Sequence, residues 1–170
     1  MRKIAIIGNG GGGKTTLARR IAERLELPLI HVDSIQFLEN WGKRSQEETR
    51  SILNAEAEKD KWVIDGFGPL DVIETRFKKA DRVIFVDFPL WRHFWWATKR
   101  CLKAYKKNRE ELPPGCSERG LSNMLRLYKM MWHVHVNIRP VLISIIEKPE
   151  VKNRVVMVKN LETWRSLYDA

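Results

Sequence analysis

One short segment, Gly8 to Thr15, constrains the fold of this chain more than any other. It reads Gly-Asn-Gly-Gly-Gly-Gly-Lys-Thr and fits the pattern GxxxxGK followed by Ser or Thr. The apolar run from Lys3 to Ile7 before it is typical of a buried strand. The apolar positions between Thr15 and Leu25 after it repeat every four residues, as in an amphipathic helix. Such a glycine loop between a strand and a helix is typical of a phosphate-binding site.

The chemistry of this loop predicts binding of a nucleoside triphosphate. Lys14 supplies a positive charge to the β- and γ-phosphates, and the hydroxyl of Thr15 is placed to bind Mg²⁺. A plain glycine turn would need neither the lysine nor the hydroxyl. We therefore predict a nucleoside triphosphate, ATP or GTP, and Mg²⁺ as cofactors. The predicted nucleotide-binding residues are Gly8, Asn9, Gly10, Gly11, Gly12, Gly13, Lys14, Thr15 and Thr16.

The rest of the chain alternates strands with helices, which predicts an α/β fold with a parallel sheet. Further strands are predicted at Leu29 to Val32, Trp62 to Ile64, Val83 to Val86 and Arg154 to Val158. Helices are predicted from Ser45 to about Lys59, from Pro69 to Lys79, from Pro89 to near Asn108, from Ser122 to Glu147 with a break at Pro140, and after Asn160. Ligands of such sheets bind beyond the carboxyl ends of the strands. Three aspartates stand at such ends: Asp33, Asp65 and Asp87.

Length and composition predict one compact domain over residues 1–170, because a domain typically has about 100 to 200 residues. Cys101 and Cys116 belong to no CxxC motif and no Cys/His cluster, so neither a disulfide framework nor a zinc site is expected. The sequence shows no secretory leader and no apolar run long enough to span a membrane. We therefore expect a cytoplasmic protein without a membrane partner, and the sequence leaves the oligomeric state open.

The positive charge is concentrated in one part of the chain. The formal net charge is +10, and residues 91–140 carry 11 Lys and Arg against 3 Asp and Glu. Such a block suits an anionic partner: nucleic acid, an acidic membrane or a phosphorylated small molecule. The alternative is a basic face that simply contacts water.

Two classes of function fit the phosphate loop and the basic segment. The NKxD segment of GTPases is absent, and the chain is short for a molecular motor. A small-molecule kinase fits best, because a basic lid can exclude water and direct the γ-phosphoryl group to a bound acceptor. The alternative is an ATP-dependent nucleic-acid-binding or regulatory protein, although no base-reading motif is evident.

The chain also resembles a known family. The segments are Ile-Ile-Gly-Asn-Gly-Gly-Gly-Gly-Lys-Thr-Thr-Leu-Ala, Leu-Pro-Leu-Ile-His-Val-Asp, Lys-Trp-Val-Ile-Asp-Gly, Ala-Asp-Arg-Val-Ile-Phe-Val-Asp-Phe-Pro and Arg-Pro-Val-Leu. In this order they resemble the adenylate-kinase-related P-loop proteins called DNA topology modulation proteins. The resemblance implies a three-layer nucleoside-monophosphate-kinase fold with a parallel sheet of strand order 2-3-1-4-5. It further implies an acceptor-binding region at about 33–60 and a basic lid at about 91–120.

The same resemblance implies roles for individual residues. Asp65 would bind Mg²⁺ together with Thr15, and Asp33 would lie at the acceptor pocket, where a carboxylate can accept a hydroxyl proton. Arg139 and Arg100 are the first candidates to neutralise the transferring phosphoryl group, which with Lys14 and Asp33 completes the predicted catalytic set. Further arginine candidates are Arg109, Arg119 and Arg126. Asp87, the third aspartate at a strand end, could cap the helix that starts near Pro89 rather than take part in the site.

Aromatic residues offer a second set of interpretations. Trp91, Trp95 and Trp96 have helical spacing, so we expect them to pack in the core rather than to stack on nucleobases. Trp41 follows the second strand, where it either walls the acceptor site or packs in the ordinary way. The segment Asp65 to Pro69 departs from the Asp-Gly-Asn-Tyr pattern of the topology modulation proteins, which predicts a different acceptor pocket.

Overall fold

A single parallel sheet organises the protein. The computed structural model describes residues 1–104 and 121–169. The strands are β1 (Lys3–Gly8), β2 (Leu29–His31), β3 (Trp62–Asp65), β4 (Arg82–Val86) and β5 (Val155–Val158). They pair in parallel in the order β2-β3-β1-β4-β5, with Ala5 of β1 opposite Ile64 of β3 and Val83 of β4. The predicted α/β fold class and the 2-3-1-4-5 strand order are confirmed.

The described helices connect these strands across both faces of the sheet. They are α1 (Lys14–Leu25), α2 (Val32–Gln36), α3 (Gln46–Glu58), α4 (Leu70–Lys79), α5 (Leu90–Ala104), α6 (Leu121–His133), α7 (Arg139–Ile146), α8 (Pro149–Lys152) and α9 (Leu161–Asp169). A 3-10 turn covers Glu39–Trp41, and a π-helical turn covers Val134–Ile138. The helix starts predicted at Ser45 and after Asn160 are confirmed, and both residues are N-caps: Ser45 Oγ accepts from the Glu48 N–H, and Asn160 Oδ1 accepts from the Thr163 N–H.

Alternation along β1 divides the core into two layers. Ala5 and Ile7 point to one face, where α3, α4 and α7 contribute buried residues. Ile4 and Ile6 point to the other face, which α1 and α9 cover. All four side chains are fully buried, which explains why β1 is almost entirely apolar rather than alternating. The phosphate loop therefore leaves the sheet from its most buried strand.

The helices differ from the sequence predictions in two places. The strand predicted to reach Val32 ends at His31, and α2 begins at once, so that Asp33 lies on a helix. Where a break was predicted at Pro140, the structure has a π-helical turn just before the proline. The last hydrogen bond of this turn runs from the Arg139 N–H to the Val134 carbonyl oxygen. Proline has no N–H to continue the helical pattern, so the turn absorbs the interruption before α7.

The tryptophans of α5 correct another prediction. The buried face of α5 is formed by His93, Ala97 and Cys101, which pack inward, whereas Trp91 is 62% exposed and Trp95 is 54% exposed. The expectation of core packing was therefore wrong for both. Helical spacing identified a shared face correctly, but it did not reveal which face of α5 points inward.

The remaining predictions concern the lid and the membrane. Arg109, Cys116, Arg119 and the part of the predicted lid beyond residue 104 lie outside the described residues, and α5 is described as far as Ala104. Across residues 1–104 and 121–169, no helix has the length and apolar character needed to cross a membrane.

Candidate active site

The predicted phosphate loop, Gly8 to Thr16, connects the carboxyl end of β1 to the amino end of α1. Gly11 and Gly13 have φ angles of 70° and 72°, in the left-handed region that favours glycine. A side chain at Gly11 would also place its Cβ 2.5 Å from the backbone oxygen of His93. The left-handed backbone of the loop and its close approach to α5 thus both require glycine. Without side chains at these positions, the loop backbone packs directly against α5.

Asn9 joins the loop to α6. Its Nδ2 donates to the Met131 carbonyl at 2.8 Å, and its Oδ1 accepts from the Gly10 N–H at 2.8 Å. The Lys14 ammonium donates to the Asn9 carbonyl at 2.7 Å and so lies across the loop. The structure therefore brings together the loop residues that the sequence predicted.

His93 supports the loop from α5. Its Nδ1 lies 2.8 Å from the Gly10 carbonyl oxygen, which only accepts, so Nδ1 carries the proton and donates. The side chain is 2% exposed, and burial lowers the pKa of His93 to about 4 despite the opposing effect of that hydrogen bond. A neutral imidazole therefore holds the loop at physiological pH. Sequence analysis did not identify this role, since nothing in the spacing of α5 indicates which residue meets the loop.

Thr15, Asp65 and His31 meet where β2, β3 and α1 converge. The Thr15 hydroxyl donates to Asp65 Oδ2 at 2.8 Å, and His31 Nδ1 lies 3.4 Å from the same oxygen. Burial alone would raise the pKa of Asp65, but the His31 hydrogen bond, the charge of Lys14 and the Thr15 hydroxyl together hold it below its ordinary value. The site therefore contains an ionised, buried carboxylate beside the phosphate loop.

The second oxygen of Asp65 tests whether the predicted Mg²⁺ fits. Asp65 Oδ1 is buried and has no hydrogen-bond partner among residues 1–104 and 121–169, while the Thr15 hydroxyl donates to the neighbouring oxygen. Mg²⁺ prefers oxygen ligands and is typically held by one or two protein groups together with waters and substrate phosphates. Within residues 1–104 and 121–169, no group of three or more His, Cys, Asp or Glu side chains forms a metal cage. The residues present fit a metal ion that is shared with a nucleotide.

The loop opens into a cleft of about 880 Å³, within the size range of small-molecule sites. Asp33, carried by α2, and Arg100, carried by α5, both line it, so the structure brings these two predicted residues to the same cleft as Lys14 and Thr15. Aromatic rings and further cations complete the wall: Phe37, Trp41, Lys43, Phe67, Trp96 and Arg126.

The loop after α2 presents Trp41 to this cleft. Asn40 and Trp41 have φ angles of 54° and 61°, which are uncommon for residues other than glycine. The Arg126 guanidinium lies 5.2 Å from the centre of the Trp41 ring, and Phe37 contacts the ring edge-on at 5.4 Å. Trp41 thus lines the cleft and also packs against Phe37, and its place at an acceptor site stays a prediction.

Unlike the predicted catalytic residues Lys14, Asp33 and Arg100, Arg139 is not among the residues that line the cleft. Its guanidinium donates to both carboxylate oxygens of Asp87, at 2.7 and 2.8 Å, and the Asp87 hydrogen bonds raise the pKa of Arg139. The pair lines a separate small cavity behind the loop, beside Asn9 and His93. Asp87 therefore pairs with an arginine, and the role of Arg139 toward phosphate stays a prediction.

Sequence analysis also missed Arg76 and His31. Arg76, on α4, is 1% exposed and donates to the Gly66 carbonyl at 2.7 Å, in the turn that follows Asp65. Burial lowers the pKa of Arg76 to about 10 although the charge of Asp65 opposes this. A charge on the otherwise apolar face of α4 was a usable signal. For His31 the signal was its place at the carboxyl end of β2.

Sequence comparisons with known proteins match parts of this chain. Residues 4–87, from β1 past β4, match the family described as AAA, ATPase family associated with various cellular activities. Threonine synthase-like 1 of Mus musculus is 27% identical over 103 residues, a match that covers 52% of this chain. The chain spans only 14% of the length of that mouse protein.

Solved structures share the fold over nearly the whole chain. Shikimate kinase from Acinetobacter baumannii, in complex with shikimate, aligns with a TM-score of 0.62 at 13% identity, covering 99% of this chain and 90% of that one. Shikimate kinase from Bacteroides thetaiotaomicron aligns with a TM-score of 0.55 at 20% identity, covering 99% and 94%. The chain thus has a P-loop NTPase fold with the sheet arrangement of these kinases. The narrower resemblance to DNA topology modulation proteins stays a prediction.

Proposed function

We propose that this protein is a phosphotransferase that moves the γ-phosphoryl group of ATP to a small-molecule acceptor, a nucleotide or a nucleoside. One observation carries the proposal: a single cleft contains both the phosphate loop and a second wall with a carboxylate, cations and aromatic rings. An enzyme that only hydrolyses ATP needs the phosphate loop but not the second wall. The second wall is suited to hold an acceptor beside the phosphate.

The phosphate loop would bind the triphosphate. Its backbone N–H groups and the amino end of α1 favour anionic oxygens, and the Lys14 ammonium can exchange the Asn9 carbonyl for a phosphate oxygen. Thr15 and Asp65 would hold Mg²⁺, which when bound supplies positive charge that neutralises the phosphate oxygens. His93 keeps the loop carbonyl of Gly10 occupied, so the loop retains its shape before ATP arrives.

The second wall would bind and activate the acceptor. Asp33 would accept the proton of an attacking hydroxyl, or orient it, at the moment of transfer. The aromatic rings of Phe37, Trp41 and Phe67 suit a planar base. The guanidinium groups of Arg100 and Arg126 suit a phosphate and would stabilise charge on the group in transit. Arg139 could join them only by exchanging a carboxylate oxygen of Asp87 for phosphate.

Transfer of a labelled γ-phosphoryl group from ATP to a panel of nucleotides, nucleosides and sugars would test this proposal. We expect one acceptor class to become labelled, and we expect Asp33→Asn to reduce that labelling at least about tenfold. Asp71→Asn is the matched control, because Asp71 is exposed and forms an ion pair with Arg50 at the surface. Label that appears only as free phosphate, whatever acceptor is present, would instead favour the regulatory NTPase.

A further inference from the structure

The outer surface of α5 and α6 carries six exposed apolar side chains. On α5 they are Trp91, Trp95 and Leu102, and on α6 and the π-helical turn they are Leu125, Trp132 and Val136. Each is about half exposed or more, between 49% and 64%. We call this set the tryptophan face. Exposed apolar groups of this size commonly mark an interaction site.

Contacts between the two helices place these side chains on one surface. Phe94 of α5 packs against Tyr128 of α6 with ring centres 5.1 Å apart, and the Thr98 and Tyr128 hydroxyls are hydrogen-bonded. Successive residues of a helix lie 100° apart around its axis. Around each of the two helices, the buried residues are followed by the residues that contact the other helix, and these are followed by the exposed apolar residues. The exposed stripes of α5 and α6 therefore lie side by side on the side of the pair that faces away from the core.

In the described part of the chain, the charged side chains of α5, α6 and the π-helical turn are all basic. Residues 90–104 and 121–146 contain no Asp and no Glu. The Arg92 guanidinium lies 5.2 Å from the centre of the Trp91 ring, and the Lys99 ammonium lies 4.7 Å from that of Trp95. Lys129 lies between Leu125 and Trp132 on α6 and is exposed. The cations thus stand among the tryptophans rather than on a separate face.

We propose, against the sequence-based expectation of no membrane partner, that the tryptophan face binds the surface of an anionic lipid membrane. Tryptophan rings settle at the level of lipid headgroups, lysine and arginine attract anionic headgroups, and aliphatic side chains enter the edge of the acyl region. Leu102, Leu125 and Val136 supply that aliphatic part. The inference is independent of the phosphoryl acceptor, because none of the six residues lines the cleft.

Two other occupants match the surface less well. A second copy of the chain would bring two basic faces together across a twofold axis, where like charges repel. Nucleic-acid interfaces are polar as well as basic, and they leave exposed leucine and valine without a partner. Lipid is the occupant that satisfies both the charge and the aliphatic side chains.

Sedimentation of the full chain with lipid vesicles tests this inference. Phosphatidylcholine vesicles with phosphatidylserine added should bind the protein, and vesicles of phosphatidylcholine alone should bind it far less. The double variant Trp91→Ala, Trp132→Ala should bind about tenfold more weakly or worse. Circular dichroism should show unchanged folding, because both side chains are exposed.

A pair of charge variants separates this surface from general electrostatics. Lys99→Glu should weaken vesicle binding, whereas Lys152→Glu, on α8 before β5, should not, although both change the net charge equally. Equal effects of the two variants would overturn the proposal. So would absence of vesicle binding, binding to single-stranded DNA in its place, or association of the protein with itself through these tryptophans without lipid.

Discussion

At the residue scale, the site depends on a few buried polar groups whose protonation the fold controls. Asp65 is kept ionised by His31, Lys14 and Thr15, while His93 is kept neutral by burial. The first group attracts positive charge to the phosphate loop, and the second supports the loop without adding charge. Each group leads to a prediction that can be checked on single variants.

Replacing Asp65 with Asn should abolish most phosphoryl transfer while the protein stays folded. The amide keeps an oxygen for the Thr15 hydroxyl but removes the buried negative charge, so we expect activity to fall on the order of a hundredfold. Titration of activity with Mg²⁺ should show a higher requirement for the metal. Asp60→Asn, at an exposed position after α3, serves as the control. Unchanged Mg²⁺ dependence in the Asp65 variant would contradict this account of the site.

His93 should make the protein less stable in mild acid. Burial lowers the pKa of His93 from 6.5 to about 4, so the unfolded chain takes up more protons between these values. The free energy of unfolding should therefore fall as the pH falls, by roughly 2 kcal/mol between pH 7 and pH 5 from this group. Urea unfolding at both pH values should show a smaller difference for His93→Gln. The exposed His133→Gln should behave like the unaltered protein.

At the scale of elements, local sequence signals held wherever the structure depends on neighbours in the chain. The Ser45 cap and the glycine loop are such cases. The sequence did not reveal side-chain positions that depend on packing between distant parts of the chain. The two exposed tryptophans were expected in the core. The helix α2 was not predicted, because it is too short to show a helical period. The hydrogen bonds of His93 with Gly10 and of Arg76 with Gly66 likewise depend on how the helices pack against the sheet.

The cap of α3 offers a direct test of that local logic. Ser45→Ala removes the acceptor of the Glu48 N–H and should reduce the free energy of unfolding by about 1 kcal/mol. Ser51→Ala, the same change at an exposed position inside α3, should leave stability unchanged or raise it slightly, because alanine favours helix. Denaturant midpoints measure both. Equal losses in the two variants would mean that Ser45 does not act as a cap.

At the scale of the whole molecule, the strand order follows from a pattern that the sequence carries clearly. Buried parallel strands are apolar runs, and their carboxyl ends place Asp33 and Asp65 toward one cleft. Arg139 shows the limit of this reasoning, because its partner Asp87 is 52 residues away and the pairing depends on where the π-helical turn places α7. The identity of the acceptor likewise depends on side chains from several elements, so it could not be predicted from the sequence.

The central claim is that this chain transfers phosphoryl groups to an acceptor rather than to water. The most direct measurement is ADP release from Mg-ATP, with and without each member of the acceptor panel, for the unaltered protein, Lys14→Ala and the matched surface variant Lys152→Ala. The account predicts that one acceptor class stimulates ADP release and that Lys14→Ala abolishes the stimulation while Lys152→Ala retains it. ADP release that no acceptor changes, or that survives in Lys14→Ala, would contradict it.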